Sequence, residues 1–296
     1  MNSSTVIVHG ATGTQGAAIV RGLLSAGHRV RGIVRDTSTS RLHPDAEPVR
    51  ADLLDAGSLA AVYRGVDAVI VQLPLVFAAD PAIRQARAAL AGLREAGVRQ
   101  AIFNAGSVVP REAVGVPFVD ARVLVSAELS RSAGVATVVA PAHTYMENLS
   151  APWSSPLVRA GEVAYPLPRE LPVPWVALDD LGAAVAALIT SKAPPPLQIV
   201  AGPRTLTGDE VAAELTAALG HSVRWNSITP AAYERMLAPH LGAEAAEGIA
   251  GAYTPPPPGT PPSPGPDPAV VTPGATTVRD WAARQDWPAH VGAVEA

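Results

Sequence analysis

Short apolar runs alternate with longer amphipathic stretches through the first two hundred positions. Thr5–His9, Arg29–Val34, Pro48–Arg50, Asp67–Leu73, Gln100–Ala105 and Val135–Ala140 read as six strands. Gly16, Val20, Leu23, Leu24 and Gly27 mark one face of a helix after the first strand, and further helical stretches fall at Ser58–Arg64, Pro81–Ala96 and Asp120–Ser132. Strands that are apolar almost throughout, separated by helices, belong to a parallel sheet covered on both faces. The connections are long enough for right-handed crossovers. The pattern predicts an α/β, doubly wound parallel sheet with a smaller C-terminal substrate lobe.

Beyond Pro141 the periodicity weakens. Ala142–Leu171 reads as loops, Asp179–Ser191 as a helix capped by Asp179 or Asp180, and Leu197–Val200 as a late strand. Helices are expected at Gly208–Leu219, Pro230–Ile249 and Val278–Arg284. Proline crowds Thr254–Pro273, which excludes helix and central strand and suggests an extended, polyproline-like loop. The plainer role of that loop is a surface strap or linker; the alternative is docking of a peptide-binding partner. The expected division is a domain at 1–150, with return elements near 175–202, and a substrate lobe at 151–296 that contains the 254–273 loop.

Composition narrows the classes. Charged residues make up only 16% of the 296 positions and the net charge is −4, with no cluster of Lys and Arg. Direct binding to nucleic acid or to an anionic membrane surface is therefore not expected. Cysteine is absent, which excludes disulfides, thiolate nucleophiles and cysteine-ligated metals. The histidines (His9, His28, His43, His143, His221, His240, His290) are scattered without H-x-x-x-H spacing, so no metal site is expected. The opening MNSSTVIVHG has no basic segment and no long apolar segment, and a cytoplasmic protein is expected. A homodimer is compatible with the sequence.

The most specific chemistry lies at the first strand. Gly10-Ala-Thr-Gly13-Thr-Gln-Gly16 places three glycines between a strand and an amphipathic helix. Such spacing gives a tight turn at Gly10, close approach of backbone to a pyrophosphate at Gly13, and close helix–strand packing at Gly16. The helix N-terminus adds free N–H groups and partial positive charge. A glycine-rich turn without ligand is the plainer reading. A Rossmann-type dinucleotide site is the sharper one, and it takes in Gly10, Thr12, Gly13, Thr14, Gln15 and Gly16.

The second strand ends in Val34-Arg35-Asp36. An arginine here suits the 2′-phosphate of NADP(H), whereas NAD enzymes place an acid for the ribose hydroxyl. Arg35 is otherwise a solvated edge cation. Asp52 and Leu53 follow the third strand, where they would reach an adenine or simply form a turn. Leu73, at the end of the fourth strand, completes that side of the cofactor set.

These motifs resemble the NmrA-like family of atypical short-chain dehydrogenase/reductases. The resemblance rests on Gly-Ala-Thr-Gly-Thr-Gln-Gly16, Val34-Arg35-Asp36 and Ala51-Asp52-Leu53. Pro141 through Met146-Glu147-Asn148, Trp175 through Gly182, and Trp281 near the closing helix support it. It covers roughly residues 5–220. Ala140 stands where the family has an arginine before Pro141. The resemblance implies NADP(H) as cofactor and a small-molecule substrate.

It also implies a catalytic Tyr-x-x-x-Lys after the fifth strand, and here this chain departs. The best match is Phe118-Val-Asp-Ala-Arg122. Phenylalanine has no proton to give, and arginine can bind a ribose but does not relay protons. Arg122 is accordingly read as a cofactor contact, with a helix-surface cation as the plainer role. Ser107 lies where such enzymes bind a substrate carbonyl, and Ala105 breaks the G-x-S-x-G pattern of hydrolases. His143 and Tyr145 follow the sixth strand. Ser107, His143 and Tyr145 are the catalytic candidates, set against loop, capping or core roles. Asn148 reads as a tie within the lobe.

Three functions fit. One is an NADPH-dependent reductase of a small apolar acceptor such as a quinone or enone. Hydride addition to a quinone leaves an oxygen of pKa about 10, as in tyrosine, which water can protonate. A ketone leaves a far more basic alkoxide and needs an acid. The second is an NADP(H)-sensing regulator without turnover, and the third a non-redox enzyme of secondary metabolism on the same fold.

Overall fold

The computed structural model describes residues 3–37, 41–255, 259 and 266–287. In chain order the elements are β1 Thr5–Val8, α1 Thr14–Ser25, β2 Arg29–Val34, β3 Glu47–Arg50, α2 Ala56–Tyr63, β4 Ala68–Val71, α3 Ala79–Ala96, β5 Gln100–Asn104, α4 Pro117–Glu128 and β6 Val135–Pro141. There follow β7 Thr144–Tyr145, α5 Ser155–Arg159, β8 Glu162–Tyr165, β9 Val173–Val176, α6 Leu178–Thr190, β10 Leu197–Ala201 and β11 Thr205–Leu206. The chain closes with α7 Gly208–Leu219, β12 Arg224–Ser227, α8 Pro230–Leu241, α9 Ala243–Gly251, β13 Val271–Pro273 and α10 Val278–Ala283.

Two compact units divide these elements. The first takes residues 1–142, 178–200 and 267–272. Its eight-stranded sheet runs β13-β10-β6-β5-β4-β1-β2-β3, and every pairing from β10 to β3 is parallel. The order reverses at β1, which lies between β2 and β4; crevices for ligands form at such switch points, beyond the strand carboxyl ends. Val69, Val71, Phe103 and Ile7 on one face are fully buried among α2, α3 and α4 residues such as Leu59, Leu90 and Val125. On the other face α1 and α6 meet through glycines: a Cβ at Gly22 would stand 2.5 Å from the Gly182 carbonyl oxygen.

The second unit takes residues 143–177, 201–266 and 273–296, so the boundary expected at 150 falls inside it. It holds a three-stranded sheet, β11-β9-β7, and a parallel pair, β8 with β12. The core is aromatic: Tyr165, Trp175, Trp225 and Tyr233 are each at most 2% exposed, with ring centroids 5.2 to 6.3 Å apart. Tyr165 Oη exchanges hydrogen bonds with Thr144 Oγ1 (2.9 Å) and Tyr253 Oη (2.8 Å). Asn148 Nδ2 donates to Thr144 and Tyr165, the tie within the lobe that its sequence position suggested.

Four sequence expectations are corrected. Ala142–Leu171 is not loop throughout but contains β7, α5 and β8, whose partners lie far along the chain. Asp179 and Asp180 sit inside the first turn of α6 rather than capping it, and Asp179 pairs with Arg21 at 2.9 Å. The helix expected over Pro230–Ile249 is two helices, because Gly242 at φ 84° and ψ 158° leaves helical geometry. Within the proline-rich stretch, 256–258 and 260–265 lie outside the described residues, while Pro268–Val270 forms a 3-10 turn and Val271–Pro273 an edge strand. An edge accommodates Pro273, which has no N–H to offer a further neighbour.

Candidate functional site

The loop after β1 takes its shape from its glycines. His9 N–H donates to the Ile70 carbonyl at 3.0 Å, and Gly13 N–H closes a turn on the Gly10 carbonyl at 2.9 Å. Gly10 has φ +58°, a left-handed conformation that side chains disfavour. A Cβ at Gly16 would stand 2.0 Å from the Gly10 carbonyl oxygen, so the backbones of turn and helix touch directly. Gly13 is the N-cap of α1; no side chain caps this terminus and its first turn carries no acid. The α1 terminus therefore keeps N–H groups without a side-chain cap and the positive end of the helix dipole, features that suit an anion. Thr12 and Gln15 are half-buried beside the loop, and Thr14 is exposed.

His9, at the base of the loop, is 1% exposed and shares a 2.5 Å hydrogen bond through Nε2 with Tyr63 Oη of α2. Burial pushes its pKa down to about 4 and pushes the Tyr63 hydroxyl well up, so both are neutral at pH 7.

Across the sheet, Gln72 after β4 and Asn104 at the end of β5 meet Gln15. Asn104 Nδ2 donates to Gln15 Oε1 at 2.8 Å and to Gln72 Oε1 at 2.9 Å. Neither Gln72 nor Asn104 was singled out from sequence. The available signal is a polar residue closing an otherwise apolar strand, at Ala68-Val-Ile-Val-Gln72 and Ala101-Ile-Phe-Asn104.

Arg122 is 7% exposed, not a helix-surface cation. Nε donates to the Ala105 carbonyl (2.9 Å), Nη1 to Phe118 (2.6 Å) and Nη2 to Leu73 (3.3 Å). It thereby joins the ends of β4 and β5 to α4, and Leu73 enters this cluster through its backbone. Among the described residues no carboxylate lies within ion-pair distance of it, and burial draws its pKa down to about 10. The guanidinium lies 5.2 Å from the Phe118 ring centroid, and Phe118 in turn lies 5.0 Å from Phe77. A buried cation backed by two half-buried aromatic rings thus marks the strand ends.

Arg35 is exposed one residue past β2, and Val34 is in register with Arg50 of β3. Asp52 is exposed and serves its own turn, its Oδ1 accepting from Leu54 N at 2.9 Å, while Leu53 packs on the core. Ser107 is exposed beyond β5. His143 and Tyr145 belong to the second unit. His143 is exposed; Tyr145 is 7% exposed, its hydroxyl has no partner among the described residues, and burial with the nearby Glu147 charge makes it a weaker acid than free tyrosine. Among the described residues no three His, Asp or Glu gather as a metal site, and no helix is long and apolar enough to cross a membrane.

The NmrA-like family model matches residues 2–254. The chain is 33% identical over 231 residues to an NAD(P)H azoreductase of Xenophilus azovorans, covering 76% of this chain and 77% of that protein. Its fold is similar to the crystal structure of Citrobacter sp. triphenylmethane reductase complexed with NADP(H), with TM-score 0.68 at 19% identity, over 84% of this chain and 88% of that one. It is also similar to the NADPH-dependent quinone oxidoreductase of Escherichia coli complexed with NADPH, with TM-score 0.64 at 21% identity, over 84% and 89%.

Proposed function

Because the chain belongs to the NmrA-like family, we propose that it is an NAD(P)H-dependent reductase of a flat, conjugated acceptor such as a quinone or enone. The observation that carries this reading is a tight glycine turn running into an uncapped helix N-terminus, with phenylalanine at position 118 where the resemblance implies a tyrosine. Gly10, Gly13 and Gly16 with the uncapped α1 terminus would seat the pyrophosphate. Arg35 would pair with the 2′-phosphate, and Arg122, fixed by three carbonyls, would place a cation beside the nicotinamide end. NADPH, when bound, supplies hydride. Phe118 holds no exchangeable proton, so the chain suits acceptors whose reduced oxygen water can protonate. Ser107 is the proposed contact to the acceptor from the first unit. The azoreductase relative supports the NAD(P)H-dependent reductase part of this reading.

The test is NADPH oxidation by the full chain against quinones, enones, an azo dye and simple ketones. Turnover is expected with quinones and enones and not with ketones, with the azo dye as a probe of whether a proton donor other than position 118 is at hand. Phe118→Tyr should change quinone reduction less than about threefold. Ketone turnover by the unmodified chain would overturn the acceptor class. The absence of a tyrosine at position 118 also favours a second reading, a cofactor-sensing protein; NADPH binding without oxidation by any acceptor would select it.

Cofactor choice has its own test. Arg35→Ala should weaken NADPH binding about tenfold or more, the scale of one charge-assisted contact, and leave NADH nearly unaffected. Equal losses for the two cofactors, measured by titration calorimetry, would remove Arg35 from the 2′-phosphate.

A further inference from the structure

Three side-chain amides meet under the glycine loop. Asn104 is 1% exposed and spends both N–H groups of Nδ2, one on Gln15 Oε1 and one on Gln72 Oε1. Its own Oδ1 is buried without a partner among the described residues. This orientation has a physical reason. Rotating the Asn104 amide by half a turn would leave two buried N–H groups unpaired in place of one buried carbonyl, and orphaned N–H groups are the rarer and costlier defect. With both glutamine oxygens turned inward, both glutamine NH2 groups turn away from Asn104. Gln72 Nε2 lies 3.3 Å from where a Gly10 Cβ would be, and Gln15 Oε1 and Nε2 lie 3.3 and 3.4 Å from where a Gly106 Cβ would be. The Gln72 donor thus lies against Gly10, which opens the glycine loop, while the Gln15 amide lies edge-on to Gly106 with both its oxygen and its nitrogen close; both glycines are in left-handed conformation.

We infer that Gln15, Asn104 and Gln72 form an amide relay in which Asn104 holds the two glutamines with their donors presented to the phosphate oxygens of a bound dinucleotide. The inference rests on the cofactor reading above. Phosphate oxygens only accept, so a neighbouring carboxamide helps when its NH2 faces them and hinders when its oxygen does. A freely rotating glutamine spends part of its time reversed. A two-donor centre between two glutamines removes that freedom, and a neutral primary amide is the side chain of this size that supplies two donors without charge. Asn104 is then a positioning residue, acting through Gln15 and Gln72.

The experiment titrates NADP+ into the full chain and its variants Gln72→Leu, Asn104→Leu and Asn104→Asp, with thermal midpoints measured in parallel. Gln72→Leu and Asn104→Leu should each weaken binding about tenfold to a hundredfold, the scale of one donor to a charged acceptor lost or left unfixed. Asn104→Asp should be weaker still, because a carboxylate only accepts and draws both glutamine NH2 groups inward. Its affinity relative to the unmodified chain at the same pH should recover as pH falls and the buried carboxyl gains a proton, which restores one donor. Taking that ratio cancels the ligand's own titration. A packing role would lower midpoints without this pH-dependent ratio, and a flat ratio overturns the relay. Should Asn104→Asp fail to fold, Gln72→Leu at a half-buried position decides: affinity within twofold of the unmodified chain overturns the relay while the cofactor reading stands. If the unmodified chain binds no NADP+, the cofactor reading fails, and the relay with it.

Discussion

Replacing Gly16 by alanine is expected to weaken NADPH binding at least a hundredfold and to lower the thermal midpoint. The added Cβ would stand 2.0 Å from Gly10 O, 2.6 Å from Gly10 C and 3.1 Å from Ala11 N. All three are backbone atoms, so no side-chain rotation relieves the contact. The loop itself must move, and the loop is the proposed phosphate seat. Overpacking of this kind costs on the order of 1–3 kcal/mol or more in stability. Gly13→Ala is the control. Gly13 has φ −86° and ψ 166°, ordinary for any residue, and its Cβ would meet the Gly10 oxygen at 3.3 Å. That variant should lower its midpoint far less than Gly16→Ala, since the neighbour must give by only a few tenths of an ångström. Differential scanning fluorimetry with and without NADPH reads both quantities. A Gly16→Ala chain with normal midpoint and affinity would mean that the close approach is not required.

Acid should destabilise the first unit through His9. The pKa of His9 is depressed in the folded chain, from 6.5 to about 4, because its imidazole is buried beside Tyr63. The unfolded chain therefore takes up the proton first. The contribution of His9 is fully present above pH 6.5, is lost progressively as pH falls from there to about 4, and amounts to roughly 3 kcal/mol at about 1.36 kcal/mol per unit. His28, whose pKa burial also lowers, acts in the same direction. Urea midpoints measured from pH 7.5 to 4 should fall more steeply for the unmodified chain than for His9→Gln, which keeps a neutral polar group near Tyr63 and has nothing to titrate there. Parallel pH profiles would exclude His9 as the acid-sensitive group.

What could be read from sequence and what could not divides along contact range. The β1–α1 loop is contiguous, so Gly10, Gly13 and Gly16 carry their meaning in one motif, and the parallel strands announce themselves by apolar runs such as Ala68–Val71. The second unit was opaque because β7, β8 and β9 are short and find partners far away in sequence, as when Val163 aligns with Trp225. Gly242 ends α8 by its backbone conformation, a choice invisible in an Ala-rich helical pattern. At the candidate site the same rule held. Gln15 belonged to the motif, but Asn104 joins it across 89 residues of chain and Gln72 joins Asn104 across 32, and only the strand order brings them together. Arg122 was legible only as a candidate cofactor contact, while its burial against three carbonyls depended on where β4 and β5 end.

The first unit borrows its outermost strand from nearly the end of the chain. β13 begins at Val271 and flanks β10 at the sheet edge, and the Gln198 side chain donates to the Val270 carbonyl at 3.0 Å. During synthesis on the ribosome, β10 emerges some seventy residues earlier than the strand that covers it. For that interval a nascent sheet displays an open, hydrogen-bonding border, the kind of edge that recruits other chains. The finished molecule closes that border with a strand of three residues ending in proline, which has no amide hydrogen to extend the ladder further. The late, proline-tipped strand thus works as a terminator for sheet growth at that border.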